Sequence, residues 1–101
     1  MRNNVVYLLT CTCGSSYVGE TERNLCLRME EHSKTEGSAL TAVGQHLADN
    51  PGHVVNTHQP FVLATARYHN QLLIKEALCI QDYKPDLNIQ VEARKLHVFN
   101  V

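Results

Sequence analysis

The chain has 101 residues, 44% of them hydrophobic and 19% charged, with a formal net charge of −1 at pH 7. That length and balance predict one folded domain with a modest core and exclude a disordered tail. The lack of basic excess counts against a stand-alone nucleic-acid binder held by charge, but not against a catalytic module carried to its target by a larger partner. No apolar run approaches the ~18 residues of a membrane span. The opening "MRNNVVYLL" is too short in its apolar part for a secretion signal and has no small-residue cleavage site after it.

Residues 4–10 are rich in Val, Leu and Tyr and read as a buried strand. "TCTCGS" supplies the turn and "SSYVG" the returning strand, so a β-hairpin is expected. Gly19 would end that strand or admit a close backbone approach. Thr21 is the expected N-cap of a helix over 22–34, in which Leu25, Arg28, Met29 and His32 share one face. Ser38 would cap a second helix over 39–49, with Leu40, Val43 and Leu47 inward and His46 beside them. "DNPGH" closes it. "FVLATARY" predicts a third strand near 61–68. "NQLLIKEALCIQDY" is the strongest helix, with stripes at Leu73, Ala77, Ile80 and at Leu72, Glu76, Cys79, and Pro85 stops it. The tail "VEARKLHVFNV", 91–101, reads as a further strand or an extended arm. The expected architecture is α+β, a small mixed or antiparallel three-stranded sheet flanked by helices, in the order β-β-α-α-β-α.

Several polar residues fall where packing alone would not put them. Tyr7 and Tyr17 lie on paired strands, Arg28 and His32 on an inward helix face, and Glu76 in an apolar surface. A carboxylate in such a place is costly unless paired or bound to a cation. The four cysteines, Cys11, Cys13, Cys26 and Cys79, allow two disulfides by number. Cys11 and Cys13 are too close for an easy mutual bridge, so a reduced intracellular setting with a metal site fits better. Cys26 and Cys79 are expected to be buried thiols.

The ordered set resembles the GIY-YIG nuclease superfamily. Val5-Val6-Tyr7 match its first motif and Tyr17-Val18-Gly19 its second, followed by Arg28 and His32 in "LRMEEH", Glu76 in "IKEAL" and Asn88 in "PDLN". The resemblance covers residues 4–90 of a single domain spanning 1–101, and Val5 stands where the family has its first Gly. Paired cysteines between the tyrosine motifs, with two histidines in "GQHLADNPGH", are similar to the endonuclease domain of Penelope-like retroelements. Cys11, Cys13, His46 and His53 match that variant's Cys-Cys-His-His set, which implies a structural Zn²⁺.

The resemblance implies a DNA endonuclease in which Glu76 holds one catalytic Mg²⁺ or Mn²⁺. Arg28 would stabilise the transition state, Tyr7 would position or deprotonate the attacking water, and Tyr17 would support water or phosphate. His32 would share the base role or bind phosphate, and Asn88 and Gly19 would support the site. It also implies nicked DNA with a 3′ hydroxyl, a linked reverse transcriptase of which this domain is an excised part, and a nuclear or otherwise intracellular setting, with no membrane and no small-molecule substrate.

Each residue taken alone has a plainer reading. Tyr7 and Tyr17 would be hairpin packing, Arg28 a surface cation with a packed stem, Glu76 and His32 solvated helix residues. Cys-x-Cys alone is a weak zinc signal, since ligands are more often two or more residues apart. His58 and His69 rival the other histidines but read as surface residues. A catalytically inactive, zinc-stabilised module for nucleic-acid or protein interaction stays open as an alternative.

Overall fold

The computed structural model describes residues 3–37 and 41–88. Its elements run β1 (Val5–Thr10), β2 (Ser16–Thr21), α1 (Leu25–Ser33), α2 (Ala42–Asp49), β3 (Phe61–Thr65) and α3 (His69–Tyr83). The three strands form one antiparallel sheet in the order β2-β1-β3. Among the described residues no helix is long and apolar enough to cross a membrane. Leu40 and the tail at 91–101 lie outside the described residues.

β1 is central, and its unbroken apolar run has a direct cause. Val5, Tyr7 and Leu9 pack on one face with Met29 of α1, Val43 of α2, Val55 and Leu87. Val6 packs on the other face with Val18 and Leu72, and Leu8, Cys79 and Ile80 close around them. A strand covered on both faces needs apolar residues at every position, not at alternate ones. Each fully buried Val or Leu contributes about 1.5–3 kcal/mol, so this strand anchors the domain.

The helix starts differ from those the sequence suggests. Thr21 ends β2, opposite Val5, and Asn24 caps α1 by accepting from the Cys26 N–H at 2.8 Å. Strand pairing thus claims Thr21, and its hydroxyl accepts from the Arg23 N–H instead. Thr41 caps α2, accepting from the Gly44 N–H at 3.1 Å, and Ser38, the cap expected from the sequence, lies outside the described residues. In α3 the inward stripe holds Leu72, Cys79 and Ile80, with Glu76 half-buried, whereas Leu73 and Ala77 are exposed. Cys26 is exposed, against the expectation of a buried thiol, because the packed face of α1 is that of Leu25, Met29 and His32.

After α3, Lys84 takes a left-handed conformation, and Pro85 and Leu87 turn the chain into the core. That turn clamps the outer edge of β2. Asn88 Oδ1 accepts from the Val18 N–H at 2.7 Å and its Nδ2 donates to the Val18 carbonyl at 2.7 Å. Asp86 Oδ1 accepts from the Ser16 N–H at 2.8 Å. A sheet edge is a row of unmet donors and acceptors, and these side chains meet them.

Candidate functional site

The antiparallel register sets Tyr7 opposite Gly19 and Leu9 opposite Tyr17, so Tyr7 and Tyr17 share a sheet face. Their ring centroids are 6.4 Å apart. α1 crosses that face and delivers Arg28 and His32, one turn apart. The His32 ring sits 5.7 Å from the Tyr7 ring and 5.2 Å from the Tyr17 ring. Gly19 lies inside β2 and does not end it. A Cβ there would stand 2.6 Å from the Tyr7 hydroxyl and 2.7 Å from the Tyr17 ring. Gly19→Ala is therefore expected to push both phenols aside and to cost about 1–3 kcal/mol in overpacking, read as a lower melting temperature.

Four polar side chains form one buried chain. Arg28 Nε donates to the Tyr7 hydroxyl at 3.2 Å. Tyr7 and His32 Nε2 share a hydrogen bond of 2.7 Å, and His32 Nδ1 lies 2.9 Å from the Thr41 hydroxyl. Tyr7 and His32 are each 0% exposed. Burial pushes the Tyr7 phenol up, and the neighbouring Tyr17 adds to it against the pull of Arg28. Burial and then the Arg28 charge hold His32 down to about 3, so the ring is neutral at physiological pH. Burial also raises Tyr17. The carboxylate of Glu76 acts on both phenols, raising each.

The structure therefore brings Tyr7, Tyr17, Arg28 and His32 into mutual contact and sets Glu76 within electrostatic reach of the two phenols. Tyr17, Arg28 and Glu76 are half-buried, and Arg28 and Thr41, itself half-buried, are the two ends of the chain. Nothing in the sequence marked Thr41. Its role arises from a contact to another element and has no periodic signature.

A second cluster forms beyond the hairpin. Gly14 N–H donates to the Cys11 carbonyl at 2.9 Å, closing a tight turn with Gly14 at φ 94°. The turn puts both thiols of Cys-x-Cys at the end of β1. Cys11 bridges to Val55, Thr12 N–H donates to the Val54 carbonyl at 2.9 Å, and Asn56 Oδ1 accepts from the Thr10 N–H at 2.7 Å. This pairing draws His53 to the turn, while the last turn of α2 supplies His46. His46 Nε2 lies 3.4 Å from Cys13 Sγ and 3.4 Å from His53 Nδ1. The ligand atoms of Cys11, Cys13, His46 and His53 all fall within 4.8 Å of one another. A tetrahedral ion with bonds of about 2.0–2.3 Å needs ligand separations of about 3.3–3.8 Å, so this set can hold a metal with small adjustments.

Hydrogen bonds from Ser15 hold the Cys13 thiol down to about 6, so it is mostly thiolate at neutral pH, the form that binds metal. His46 Nε2 is the ring nitrogen that faces Cys13 and His53, and Asn50 Nδ2 donates to the His46 carbonyl at 2.8 Å. None of the four cysteines is joined in a disulfide. His58 is exposed, and His69 is exposed and pairs with Glu22. Neither joins the two clusters. No family model, curated protein or solved structure matches the chain significantly.

Proposed function

We propose that this chain is a divalent-metal-dependent DNA endonuclease of the GIY-YIG type, stapled by zinc, similar to that of Penelope-like retroelements. One observation carries the reading: Tyr7, Tyr17, Arg28 and His32 converge in one hydrogen-bonded group that also feels the charge of Glu76. A packing role alone does not call for a buried phenol bonded to both a guanidinium and a neutral imidazole. Two strands, α1 and α3 supply these groups, so chance adjacency along the chain does not explain them.

Phosphodiester hydrolysis forms a bond from water oxygen to phosphorus and breaks the bond to the 3′ oxygen, which leaves as a hydroxyl. Negative charge builds on the phosphate oxygens. Arg28 is suited to meet it, because Tyr7 holds Nε and the Glu31 carboxylate, 3.7 Å from Nη1, holds the half-buried guanidinium at the edge of the group. Tyr7 and His32 have no exposed surface, so both act through Arg28 as positioning residues. Of the roles expected for His32, base catalysis fits poorly with a ring held neutral down to about 3. Tyr17 is the phenol within reach of water or phosphate. Glu76 offers a single carboxylate, which fits a hard cation that keeps most of its water. Such a cation supplies Lewis-acid stabilisation of the phosphate charge.

Cys11, Cys13, His46 and His53 offer two thiolates and two imidazoles, a donor set that favours Zn²⁺ over Mg²⁺ or Mn²⁺. The formal charge of −1 supports target delivery by a linked protein, for which a reverse transcriptase extending the 3′ hydroxyl is the proposed partner. The test is conversion of supercoiled plasmid to the nicked circle, with and without Mg²⁺ or Mn²⁺. Nicking that requires the divalent ion supports the nuclease, and a zinc-loaded protein that never nicks supports an interaction module instead.

Arg28→Ala is expected to lower the nicking rate roughly 10²–10³-fold with little change in DNA affinity, because its contact strengthens as charge develops. Rate and affinity falling in equal proportion would make Arg28 a binding contact only.

A further inference from the structure

Thr41 caps α2, yet its hydroxyl also closes the buried chain that ends at Arg28. The direction of that chain follows from its members. Arg28 is a donor without exception, so the Tyr7 oxygen accepts at that end. Tyr7 is 0% exposed and its phenol stays protonated, so its O–H needs an acceptor inside the protein. His32 Nε2 stands there at 2.7 Å. A neutral imidazole that accepts at Nε2 carries its proton on Nδ1. Thr41 Oγ lies 2.9 Å from that nitrogen and 3.1 Å from the Gly44 N–H. A hydroxyl oxygen has two lone pairs, one for each donor. Its own proton then turns outward, as the half-buried position of Thr41 permits.

We propose that Thr41 is a positioning residue: its oxygen accepts from His32 Nδ1, fixes the Nδ1–H tautomer, and so sets the order Arg28 to Tyr7 to His32 to Thr41 that aims the guanidinium. The reverse order puts the imidazole proton on Nε2 and two N–H donors on the Tyr7 oxygen. The buried phenol proton would then lose its acceptor. Sequence distance hides this link, since Thr41 is nine residues beyond His32 and on another element. The catalytic part of the proposal rests on the nuclease reading of Arg28, whereas the tautomer does not.

The experiment uses the full chain with ¹⁵N-labelled histidine. The ¹⁵N shifts of a neutral ring distinguish protonated from unprotonated nitrogens, so they identify the tautomer. Wild type is expected to show His32 as Nδ1–H, and Thr41→Ser, which keeps the oxygen, to show the same. Thr41→Val keeps the shape but not the acceptor, so either tautomer then leaves one buried group unmet, and the ring is expected to change from Nδ1–H alone to a mixture that includes Nε2–H. In the nicking assay Thr41→Val should lower kcat about 10-fold at unchanged KM for plasmid, and Thr41→Ser should restore it. A wild-type ring that carries its proton on Nε2 overturns the proposal, and so does a Thr41→Val protein that keeps the Nδ1–H tautomer alone. Should Thr41→Val fail to fold, the wild-type spectrum alone decides. A wild-type chain that does not nick defeats the nuclease reading, and the spectrum still decides the role of Thr41.

Discussion

Glu76→Gln is expected to abolish divalent-dependent nicking, by about 10³-fold or more, while the melting temperature stays close to wild type. Glu76 lies half-buried on α3, on the stripe of Leu72 and Cys79. Gln keeps the volume and hydrogen-bonding reach but removes the anionic oxygen that a hard cation requires. The sign of the effect separates two roles for this carboxylate. Its charge raises both phenols, so removing it makes Tyr7 and Tyr17 more acidic. If Glu76 acted only through that field, the variant would keep its rate or exceed it. If it holds the cation, the rate collapses. Nicking at the wild-type rate and equal metal concentration would defeat the metal assignment.

The parts of the fold legible in the sequence are those with local causes. The run "VVYLLT" reads as a buried strand because Val5, Val6, Tyr7 and Leu9 are buried, on both faces of β1, and only Thr10 at its end is exposed. The period of "NQLLIKEALCIQDY" gives α3, and Pro85 marks its end. Which face of α3 turns inward is not local. Leu73 and Leu72 are equally apolar, and the packing against Val6 and Val18 selects Leu72. Helix starts failed for a related reason: Thr21 and Ser38 are chemically sound caps, but strand pairing takes Thr21, and Thr41 is the residue that meets Gly44. The candidate site residues Tyr7, Tyr17, Arg28, His32 and Glu76 were legible as polar residues on faces meant for packing. Their assembly depends on register, Tyr7 against Gly19 and Leu9 against Tyr17, which a sequence suggests only through the hairpin. The candidate metal-ligating set was weaker still by spacing. Cys-x-Cys becomes convincing only when Cys11 pairs with Val55 and brings His53 alongside, a contact between distant segments.

Removing the zinc is expected to lower the melting temperature by about 10–20 °C, before any direct effect on chemistry. Cys11, Cys13, His46 and His53 join the hairpin turn, the end of α2 and the segment that leads back to Val55. A 101-residue chain has a modest core, so a cross-link between such segments is a large share of its stability. An ion bound only to the folded state at 100 times its dissociation constant stabilises by about 2.7 kcal/mol. For a domain near 100 residues each kcal/mol shifts the midpoint by about 4–8 °C. Cys11→Ser should reproduce the effect of chelation, because it removes the buried ligand of the four. The cation proposed for Glu76 should behave differently. Mg²⁺ or Mn²⁺ added to the chelated protein should not restore the melting temperature, since oxygen-seeking ions are poor substitutes at two thiolates and two imidazoles. Zn²⁺ should restore it. Elemental analysis of protein purified without added zinc supplies the independent number, with one zinc per chain expected. A zinc-free protein whose melting is indifferent to chelators would leave these four as ordinary turn and helix residues. The nuclease reading would survive that result, because Thr41, His32, Tyr7 and Arg28 bond to one another without the cysteine turn.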